Sequence, residues 1–430
     1  MKKTLAEWLS WQEKLHLSEI DLGLERIRAV ANNLDLLSPS FPIITVAGTN
    51  GKGSAVALLE SVLYAQGYKI GSYTSPHLID YNERIKLDTS NLSDDLIINA
   101  FEQIDEARGS VSLTYFEFST LAAVLVFIQQ KVDVAILEVG LGGRLDASNL
   151  WDTSLAIITS IGIDHVDWLG DDREIIAVEK SGIMRKDVPV ICGDLDPPQN
   201  IAKEAKRIGA HLHQINNAFS YKKNDDATWL WKDQNKTYTL PFPALAGEFQ
   251  LNNAATVVAG LKAINALLPV KQENIEKGLS QVSLIGRLQI IRQKPEWLID
   301  VAHNPHAAKQ LAKHLQSNPV KGKTFALFSM LKDKDIVQVI SIMNSHIDEW
   351  HIVELSGPRS TKMDELKRTI SRQSESNKNI IVHENFLNAV ESVKTNSNLK
   401  DRVVAFGSFL VVSEVINAYG QVYGIDNDSN

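Results

Sequence analysis

A glycine-rich turn between an apolar strand and a helix constrains this chain more than any other segment. The β-branched run Ile43–Ala47 leads into residues 48–54 (Gly-Thr-Asn-Gly-Lys-Gly-Ser), and a helical pattern follows. In this order, the backbone N–H groups of the turn and of the first helical turn converge on one point. The helix dipole favours negative charge there, and a lysine adds a cation. The segment therefore predicts a phosphate-binding loop in an α/β fold.

The spacing within this loop departs from the usual P-loop. In the usual form the lysine is followed directly by serine or threonine, whereas here Gly53 separates Lys52 from Ser54. The alternative is a plain strand–turn–helix corner, which the complete strand and helix on either side disfavour. This unusual spacing helps to indicate which class of nucleotide-binding enzyme the loop belongs to.

Bulk composition narrows the class of protein. The 430 residues are too many for one ordinary core, so we expect two domains. A net charge of −8 disfavours general nucleic-acid binding. The single cysteine, Cys192, excludes an internal disulfide and suits a reducing compartment. No segment approaches the roughly 20 apolar residues that a membrane span needs, and charged residues interrupt any N-terminal signal pattern. We therefore expect a cytoplasmic protein without a membrane or nucleic-acid partner.

Strand and helix patterns alternate along the chain, which indicates an α/β fold. Apolar runs typical of a covered parallel sheet occur at 43–47, 69–74, 132–139, 155–160 and 188–192, with helical patterns at 51–66, 94–106, 118–130, 172–184, 250–268 and 274–281. The alternation restarts with predicted strands at 297–301, 324–329, 350–355, 379–383 and 402–407. These patterns predict a nucleotide-binding domain over 1–287 with a small β hairpin near 216–240, a linker at 288–296, a smaller domain over 297–424 and a disordered tail at 425–430.

Several polar residues follow predicted strands, where open α/β sheets place their ligands. Glu138 and His165 end neighbouring strand patterns and are candidate metal ligands, with Ser54 and Ser75 as further oxygen donors. Each of these residues also has a structural interpretation, such as a solvated acid at a strand end. Lys180 lies in a helical pattern, where a lysine is usually a solvated surface residue.

The second part of the chain repeats this arrangement. Asp300 and His303 lie three residues apart at the end of a predicted strand, and Arg287 precedes that strand. The arginine is a candidate phosphate contact. The alternative for Asp300 is a helix N-cap.

Five motifs together resemble one family. They are residues 46–54, 73–78 (Tyr-Thr-Ser-Pro-His-Leu), 138–143 (Glu-Val-Gly-Leu-Gly-Gly), 164–165 (Asp-His) and 300–305 (Asp-Val-Ala-His-Asn-Pro). In this order, and over nearly the whole chain, they resemble the folylpolyglutamate synthases of the Mur ligase superfamily. The resemblance implies a P-loop, Mur-ligase-type ATPase domain with a parallel-rich central sheet, followed by a smaller, Rossmann-like α/β glutamate ligase domain.

Three further segments resemble the bacterial bifunctional members, which also have dihydrofolate synthase activity. These segments are 21–26 (Asp-Leu-Gly-Leu-Glu-Arg), 113–118 (Leu-Thr-Tyr-Phe-Glu-Phe) and 143–147 (Gly-Arg-Leu-Asp-Ala). Single-activity folylpolyglutamate synthases usually lack the first run and the Arg-Leu-Asp sequence.

The resemblance implies a role for each matching residue. The ATP contacts are Thr49, Asn50, Gly51, Lys52, Asn253, Arg287 and Asp300. Magnesium, as one or two ions, is bound by Ser75, Glu138, His165 and a carboxylated Lys180. Dihydropteroate is bound by Asp21, Leu22, Gly23, Leu24, Thr114, Tyr115, Phe116, Glu117, Leu145, Asp146 and Ala147. The catalytic set is Lys52, Lys180, Asp300 and His303, of which His303 lies near the reacting phosphate or the incoming glutamate.

The resemblance thus predicts a monomeric, ATP-dependent ligase that adds L-glutamate to dihydropteroate and to folates through an acyl phosphate. The alternatives are a folylpolyglutamate synthase without the first activity and a cell-wall Mur ligase. From other classes, a P-loop phosphotransferase or GTPase switch and a non-catalytic nucleotide-binding regulator also remain.

Overall fold

The computed structural model describes residues 3–18, 20–373 and 378–424. The chain forms two compact units, one of Met1–Ala244 and Gln250–Ser283, the other of Leu245–Phe249 and Leu284–Asn430. In the described part of the chain, no helix combines the length and apolar character needed to cross a membrane. The predicted tail, 425–430, lies outside the described residues.

Helices and strands are mixed along the chain up to residue 283. They are α1 (Leu5–Gln12), α2 (Glu25–Asn33), β1 (Ile43–Ala47), α3 (Lys52–Gln66), β2 (Ile70–Tyr73), β3 (Ile85–Leu87), β4 (Ser90–Asn91), α4 (Asp94–Arg108), α5 (Tyr115–Gln130), β5 (Val134–Glu138), β6 (Leu155–Ile158), α6 (Val166–Leu169), α7 (Arg173–Ser181), β7 (Pro189–Cys192), α8 (Gln199–Ile208), β8 (His211–Gln214), β9 (Phe219–Lys223), β10 (Thr228–Asp233), β11 (Thr237–Pro241), α9 (Phe249–Ala263) and α10 (Gln272–Gln281).

The main sheet of the first unit has the order β4-β3-β2-β5-β1-β6-β7-β8. The pairs from β2 through β8 are parallel, and β3 and β4 add an antiparallel edge. Every residue of β1 and β5 is buried, as expected of strands that are covered on both faces. The predicted parallel-rich α/β fold is confirmed. Its topology places the carboxyl ends of β2, β5, β1 and β6 side by side.

Helix α5 begins three residues earlier than its apolar pattern predicts. Thr114 accepts a hydrogen bond from the backbone of Glu117, and the Glu117 carboxylate accepts one from the backbone of Thr114. This capping box satisfies N–H groups that the first turn leaves unpaired. The helix therefore starts at Tyr115, and the polar side chains of the box are buried at its N-terminus.

The polar stretch near 216–240 folds as a three-stranded antiparallel sheet of order β11-β10-β9, one strand more than the predicted hairpin. Trp229 and Trp231 alternate along β10, and both are buried. Residues two apart on a strand share one face, so this pair supplies the apolar side of the small sheet.

The second unit forms its own sheet, of order β12-β13-β17-β14-β15-β16. Its elements are β12 (Gln289–Gln293), β13 (Glu296–Ile299), α11 (Pro305–Ser317), β14 (Thr324–Phe328), α12 (Ile336–Met343), β15 (Glu349–Val353), α13 (Met363–Gln373), β16 (Asn379–His383), α14 (Phe386–Asn396), β17 (Arg402–Phe406) and α15 (Phe409–Tyr423). All pairs are parallel except β12 with β13.

The structure corrects the expected linker at 288–296, because Gln289–Gln293 is strand β12. This strand lies at an edge of the sheet and is only partly buried, so its Gln-Ile-Ile-Arg-Gln sequence keeps the polar character of a connecting segment. Its antiparallel partner, β13, carries the apolar signal that was recognised as the first strand of this unit.

Candidate active site

The glycine-rich loop after β1 is hydrogen-bonded to the segment that follows β6. The backbone N–H of Thr49 donates to the carbonyl of Ser160 at 2.7 Å, and the Thr49 hydroxyl lies 3.0 Å from the carbonyl oxygen of Gly162. Gly51 caps α3 with a φ of 87°, a conformation that favours glycine. A Cβ at this position would lie 2.7 Å from Oδ1 of Asn253. The structure thus brings Asn253 to the loop as the ATP assignment requires.

Asn50 is held by two hydroxyl residues that sequence reasoning did not assign to the site. Its N–H donates to Oγ of Ser160 at 3.2 Å, and its carbonyl accepts from Oγ1 of Thr159 at 2.7 Å and from Ser160 at 3.0 Å. The available signal was their position at the end of the predicted strand 155–160, which pairs with the strand that leads into the loop.

Two lysine side chains meet at this loop. Nζ of Lys52 donates to the carbonyl oxygens of Gly48 and Thr49 at 3.1 and 3.3 Å. Nζ of Lys180 reaches the same Gly48 oxygen from α7 at 3.0 Å. Lys180 is buried, so the interpretation as a solvated helix lysine is wrong. Burial, and secondarily the charge of Lys52, lowers the pKa of Lys180 to about 7.

Two of the candidate magnesium ligands, Ser75 and Glu138, lie at the ends of the neighbouring strands β2 and β5. The Glu138 carboxylate, buried at the end of β5, accepts a hydrogen bond from the backbone N–H of Ser75 at 3.3 Å. His165 immediately precedes α6. Ser54 is buried and accepts a hydrogen bond from the side chain of Gln250, inside the fold. Within residues 3–18, 20–373 and 378–424, no three or more His, Cys, Asp or Glu side chains are grouped so that they could hold a metal. The predicted magnesium ligands include two residues of these types, Glu138 and His165.

Two of the three segments assigned to dihydropteroate are joined by an arginine that was not assigned a role. Arg26 on α2 forms ion pairs with Asp21 at 2.6 Å and with Glu117 at 3.2 Å. The stretch between Asp21 and the start of α2 is half-buried and consists of Leu22, Gly23 and Leu24. The structure therefore brings the segments 21–24 and 114–117 together, although about 90 residues separate them along the chain.

The third segment, 145–147, approaches the second, 114–117, on either side of Gly140. A Cβ at this position would lie 2.7 Å from the ring of Phe116 and 3.3 Å from Oδ2 of Asp146. The Asp146 carboxylate is buried and accepts hydrogen bonds from the backbones of Leu141 and Ser148. Burial raises the pKa of this carboxyl, and those hydrogen bonds oppose the rise. Residues 145–147 thus follow a tight turn whose shape depends on Asp146.

The same turn lies against the helix that carries Lys180. The backbone N–H of Arg144 donates to the carbonyl of Glu179 at 2.9 Å, and their side chains form an ion pair at 2.7 Å. Helix α7 therefore contacts both the phosphate loop, through Lys180, and the turn before Asp146, through Glu179.

In the second unit, Asp300 organises the turn after β13. Its carboxylate accepts hydrogen bonds from the backbone N–H groups of Leu288 and Ala302, both at 2.8 Å. Burial raises the pKa of Asp300, while these hydrogen bonds and Arg287 oppose the rise. The N-cap interpretation of Asp300 is wrong, because the side chain of Asn304 caps α11.

Phe409 connects Arg287 and His303, and sequence reasoning missed it. The Arg287 guanidinium lies 5.1 Å from the centre of its ring, and the His303 ring lies 6.0 Å from it. Phe409 is the first residue of α15, directly after a strand end, which is the signal that was available. The structure thus brings together Arg287, Asp300 and His303 near the carboxyl ends of β13 and β17.

The Mur ligase middle domain matches residues 46–261, and the Mur ligase glutamate ligase domain matches residues 286–409. Dihydrofolate synthase/folylpolyglutamate synthase of Escherichia coli K12 is 41% identical over 413 residues, covering 96% of this chain and 94% of the relative. A solved structure of E. coli FolC in complex with DHPP and ADP aligns with a TM-score of 0.92 at 40% identity, covering 98% of this chain and 99% of that one.

A second solved structure is a bifunctional folylpolyglutamate synthase/dihydrofolate synthase with Mn, AMPPNP and L-glutamate bound. It aligns with a TM-score of 0.89 at 41% identity, covering 97% of this chain and 98% of that one. On these similarities, the chain belongs to the dihydrofolate synthase/folylpolyglutamate synthase family of the Mur ligases.

Proposed function

We propose that this chain joins the amine of L-glutamate to dihydropteroate, forming dihydrofolate, and to glutamate-bearing folates, forming polyglutamates. ATP drives both reactions. The observation that carries the proposal is that α7 contacts both the phosphate loop, through Lys180, and the turn before Asp146, through Glu179. The high identity to a bifunctional relative over nearly the whole chain supports the same activities.

The reaction needs ATP because a carboxylate resists attack by an amine. Its carbonyl carbon is shielded by negative charge, and oxide is a poor leaving group. A carboxylate oxygen attacks the γ-phosphorus of ATP, and the bond to the bridging oxygen of ADP breaks. The glutamate amine then attacks the acyl phosphate, loses a proton, and expels phosphate. Sites of this kind accelerate both steps by positioning the reactants and by placing cations near the phosphoryl charge.

The residues of the phosphate loop have distinct tasks in this proposal. Thr49, Asn50 and Gly51 present the loop and the N-terminus of α3 to the ATP phosphates. Lys52 exchanges its hydrogen bonds to loop carbonyls for contacts with those phosphates. Asn253, which lies against Gly51, is a further contact of ATP.

The chain also offers suitable donors for magnesium. This ion usually takes one or two carboxylates together with substrate phosphates. Glu138 beside Ser75, with His165 and a carboxylated Lys180, supplies donors of that kind. When bound, one or two magnesium ions would offset the charge of the phosphates.

The surroundings of Lys180 support its carboxylation. An ammonium group beside Lys52 and a bound cation is repelled, whereas a carbamate is attracted. The neutral amine attacks carbon dioxide, a C–N bond forms, and one proton is released. Burial beside Lys52 favours the neutral amine that this step requires, since it lowers the pKa of Lys180 to about 7.

In the second unit, we assign Arg287 and Asp300 to ATP and His303 to the reacting phosphate or the incoming glutamate. Asp300 also keeps Leu288 and Ala302 in place around the turn. The protein acts in the cytoplasm as a monomer on small molecules, without nucleic-acid or membrane partners. The segments at Asp21, Thr114 and Asp146 select the pteridine substrate.

The proposal is tested with purified protein, magnesium, ATP, dihydropteroate and labelled glutamate. Labelled dihydrofolate should appear, and ADP release should require the pteroate. Release of ADP without an acceptor, or no labelled product, would overturn the proposal. Tetrahydrofolate in place of dihydropteroate tests the second activity. Product from tetrahydrofolate alone would identify a folylpolyglutamate synthase without dihydrofolate synthase activity.

A further inference from the structure

Arg26 has a geometry that a simple surface ion pair does not have. Its guanidinium spans two segments, with Nη1 2.6 Å from Oδ2 of Asp21 and Nη2 2.7 Å from the backbone oxygen of the same residue. Towards α5, Nη2 and Nε donate to the two carboxylate oxygens of Glu117 at 3.2 and 3.4 Å. The planar fork of arginine suits this double bridge, whereas the single ammonium of lysine does not.

Both partners of Arg26 are fixed by further contacts. The buried Glu117 carboxylate also accepts from the backbone of Thr114 at 2.8 Å, so it caps α5 and binds Arg26 at once. Asp21 also contacts a ring nitrogen of His16 at 3.1 Å. The other ring nitrogen of His16 lies 2.7 Å from the hydroxyl of Ser112, just before the cap. A continuous polar network therefore joins the loop before α2 to the start of α5.

This network fixes the shape of the surface assigned to the pteridine substrate. Residues 21–24 have no regular secondary structure, and Arg26 binds both the side chain and the backbone of the residue that opens the segment. A loop that is already ordered does not lose conformational freedom when a ligand binds. Loss of Arg26 would remove the bonds that hold the side chain and backbone of Asp21 towards α5, and would leave the buried charge of Glu117 without this cationic partner.

We propose that Arg26 is a positioning residue for the pteridine-bearing substrate, because it holds the 21–24 segment against the N-terminus of α5 before the substrate arrives. This inference rests on the proposed function. It assigns to Arg26 an effect on substrate binding and no part in phosphoryl transfer or in ATP binding.

The test measures steady-state kinetics of Arg26→Ala and Arg26→Lys with dihydropteroate, ATP and glutamate each varied in turn. Arg28→Ala is the matched control, since Arg28 lies on the same helix and is exposed. Arg26→Ala should raise KM for dihydropteroate about 10- to 100-fold, the range expected when hydrogen bonds to charged groups are lost. The value of kcat at saturation and KM for ATP should stay within about two-fold of the control.

Arg26→Lys keeps the charge and most of the side-chain volume, so it remains informative if the alanine variant does not fold. It should raise KM for dihydropteroate several-fold and leave ATP binding, measured by calorimetry, unchanged. The inference is overturned if both variants match Arg28→Ala, or if KM for ATP rises in parallel. Absence of dihydrofolate formation in the unmodified protein would instead remove the proposed function.

Discussion

Lys52 and Lys180 donate to one shared acceptor, the carbonyl oxygen of Gly48, at 3.1 and 3.0 Å. Burial of Lys180 disfavours its charged form, and the nearby charge of Lys52 adds to that effect. The arrangement suits a lysine that is neutral or carboxylated when ATP and a cation occupy the loop.

Lys180→Ala should therefore lose most of the ligase activity, by about 100-fold or more if the residue stabilises charge in the transition state. Activity of the unmodified protein should depend on bicarbonate after carbon dioxide is removed. Labelled bicarbonate should yield a carbamate signal by carbon NMR that disappears in the variant.

Lys186→Ala is the control for this substitution, since Lys186 is exposed shortly after α7. It should retain both activity and the carbamate signal. Substantial activity in Lys180→Ala without bicarbonate dependence would contradict the assigned role.

Gly51→Ala should weaken ATP binding by about ten-fold or more, because φ is 87° and the new Cβ would lie 2.7 Å from Oδ1 of Asn253. Calorimetric titration with a non-hydrolysable ATP analogue measures the effect.

Gly67→Ala at the other end of α3 is the control: its φ is 98°, but no atom lies within 4 Å of the added Cβ. It should lower stability by about 1 kcal/mol and leave ATP affinity unchanged. Equal affinities in the two variants would contradict a phosphate role for the loop.

Asp300→Asn should impair catalysis while the second unit remains folded. The amide nitrogen of asparagine cannot accept a hydrogen bond, so one of the backbone N–H groups of Leu288 and Ala302 loses its acceptor. We expect a destabilisation of about 1–3 kcal/mol and a fall in kcat/KM for ATP. Asn385→Ala removes a helix cap elsewhere in this unit and should cost about 1 kcal/mol without changing ATP kinetics. If both variants had the same kinetics, the assignment of Asp300 to ATP would be wrong.

The second sheet should lose local stability as the pH falls below about 6.5. Nε2 of His351 lies 3.0 Å from Oε1 of Glu349, and its Nδ1 lies 2.9 Å from Nε2 of His383. Burial lowers the pKa of both histidines, and for His351 the neighbouring His383 adds to the effect while Glu349 opposes it.

The direction of this pH dependence of stability follows from proton binding. The unfolded chain binds more protons than the folded one as the pH falls through the ordinary histidine pKa, so this stability is present at higher pH and lost on acidification. Hydrogen exchange of β15 and β16, corrected for its intrinsic pH dependence, should show weaker protection at pH about 5.5 than at about 7.5. His351→Gln should reduce that difference, whereas His211→Gln, at an exposed position, should not. An unchanged difference in His351→Gln would contradict the explanation.

Much of the architecture was accessible from the sequence because β1, β5, β14 and β17 are buried along their whole length. Continuous apolar runs report such strands directly. The edge strand β12 was missed because an exposed, polar strand lacks that signal. The early start of α5 was missed because a polar capping box occupies its first turn and interrupts the apolar pattern.

The amino-acid sequence alone indicates which reactive groups are present: a glycine-rich loop with its lysine, acids and imidazoles after strands, and the motifs of one ligase family. Which of these groups contact one another depends on the tertiary fold. Lys180 reaches Gly48 across 132 positions of the chain, and Arg26 reaches Glu117 across 91. Periodicity reports local burial, whereas such contacts depend on strand order and on how helices pack across the sheet. The same geometry makes Lys180 a buried amine beside a second cation, a property that its helical sequence pattern does not reveal.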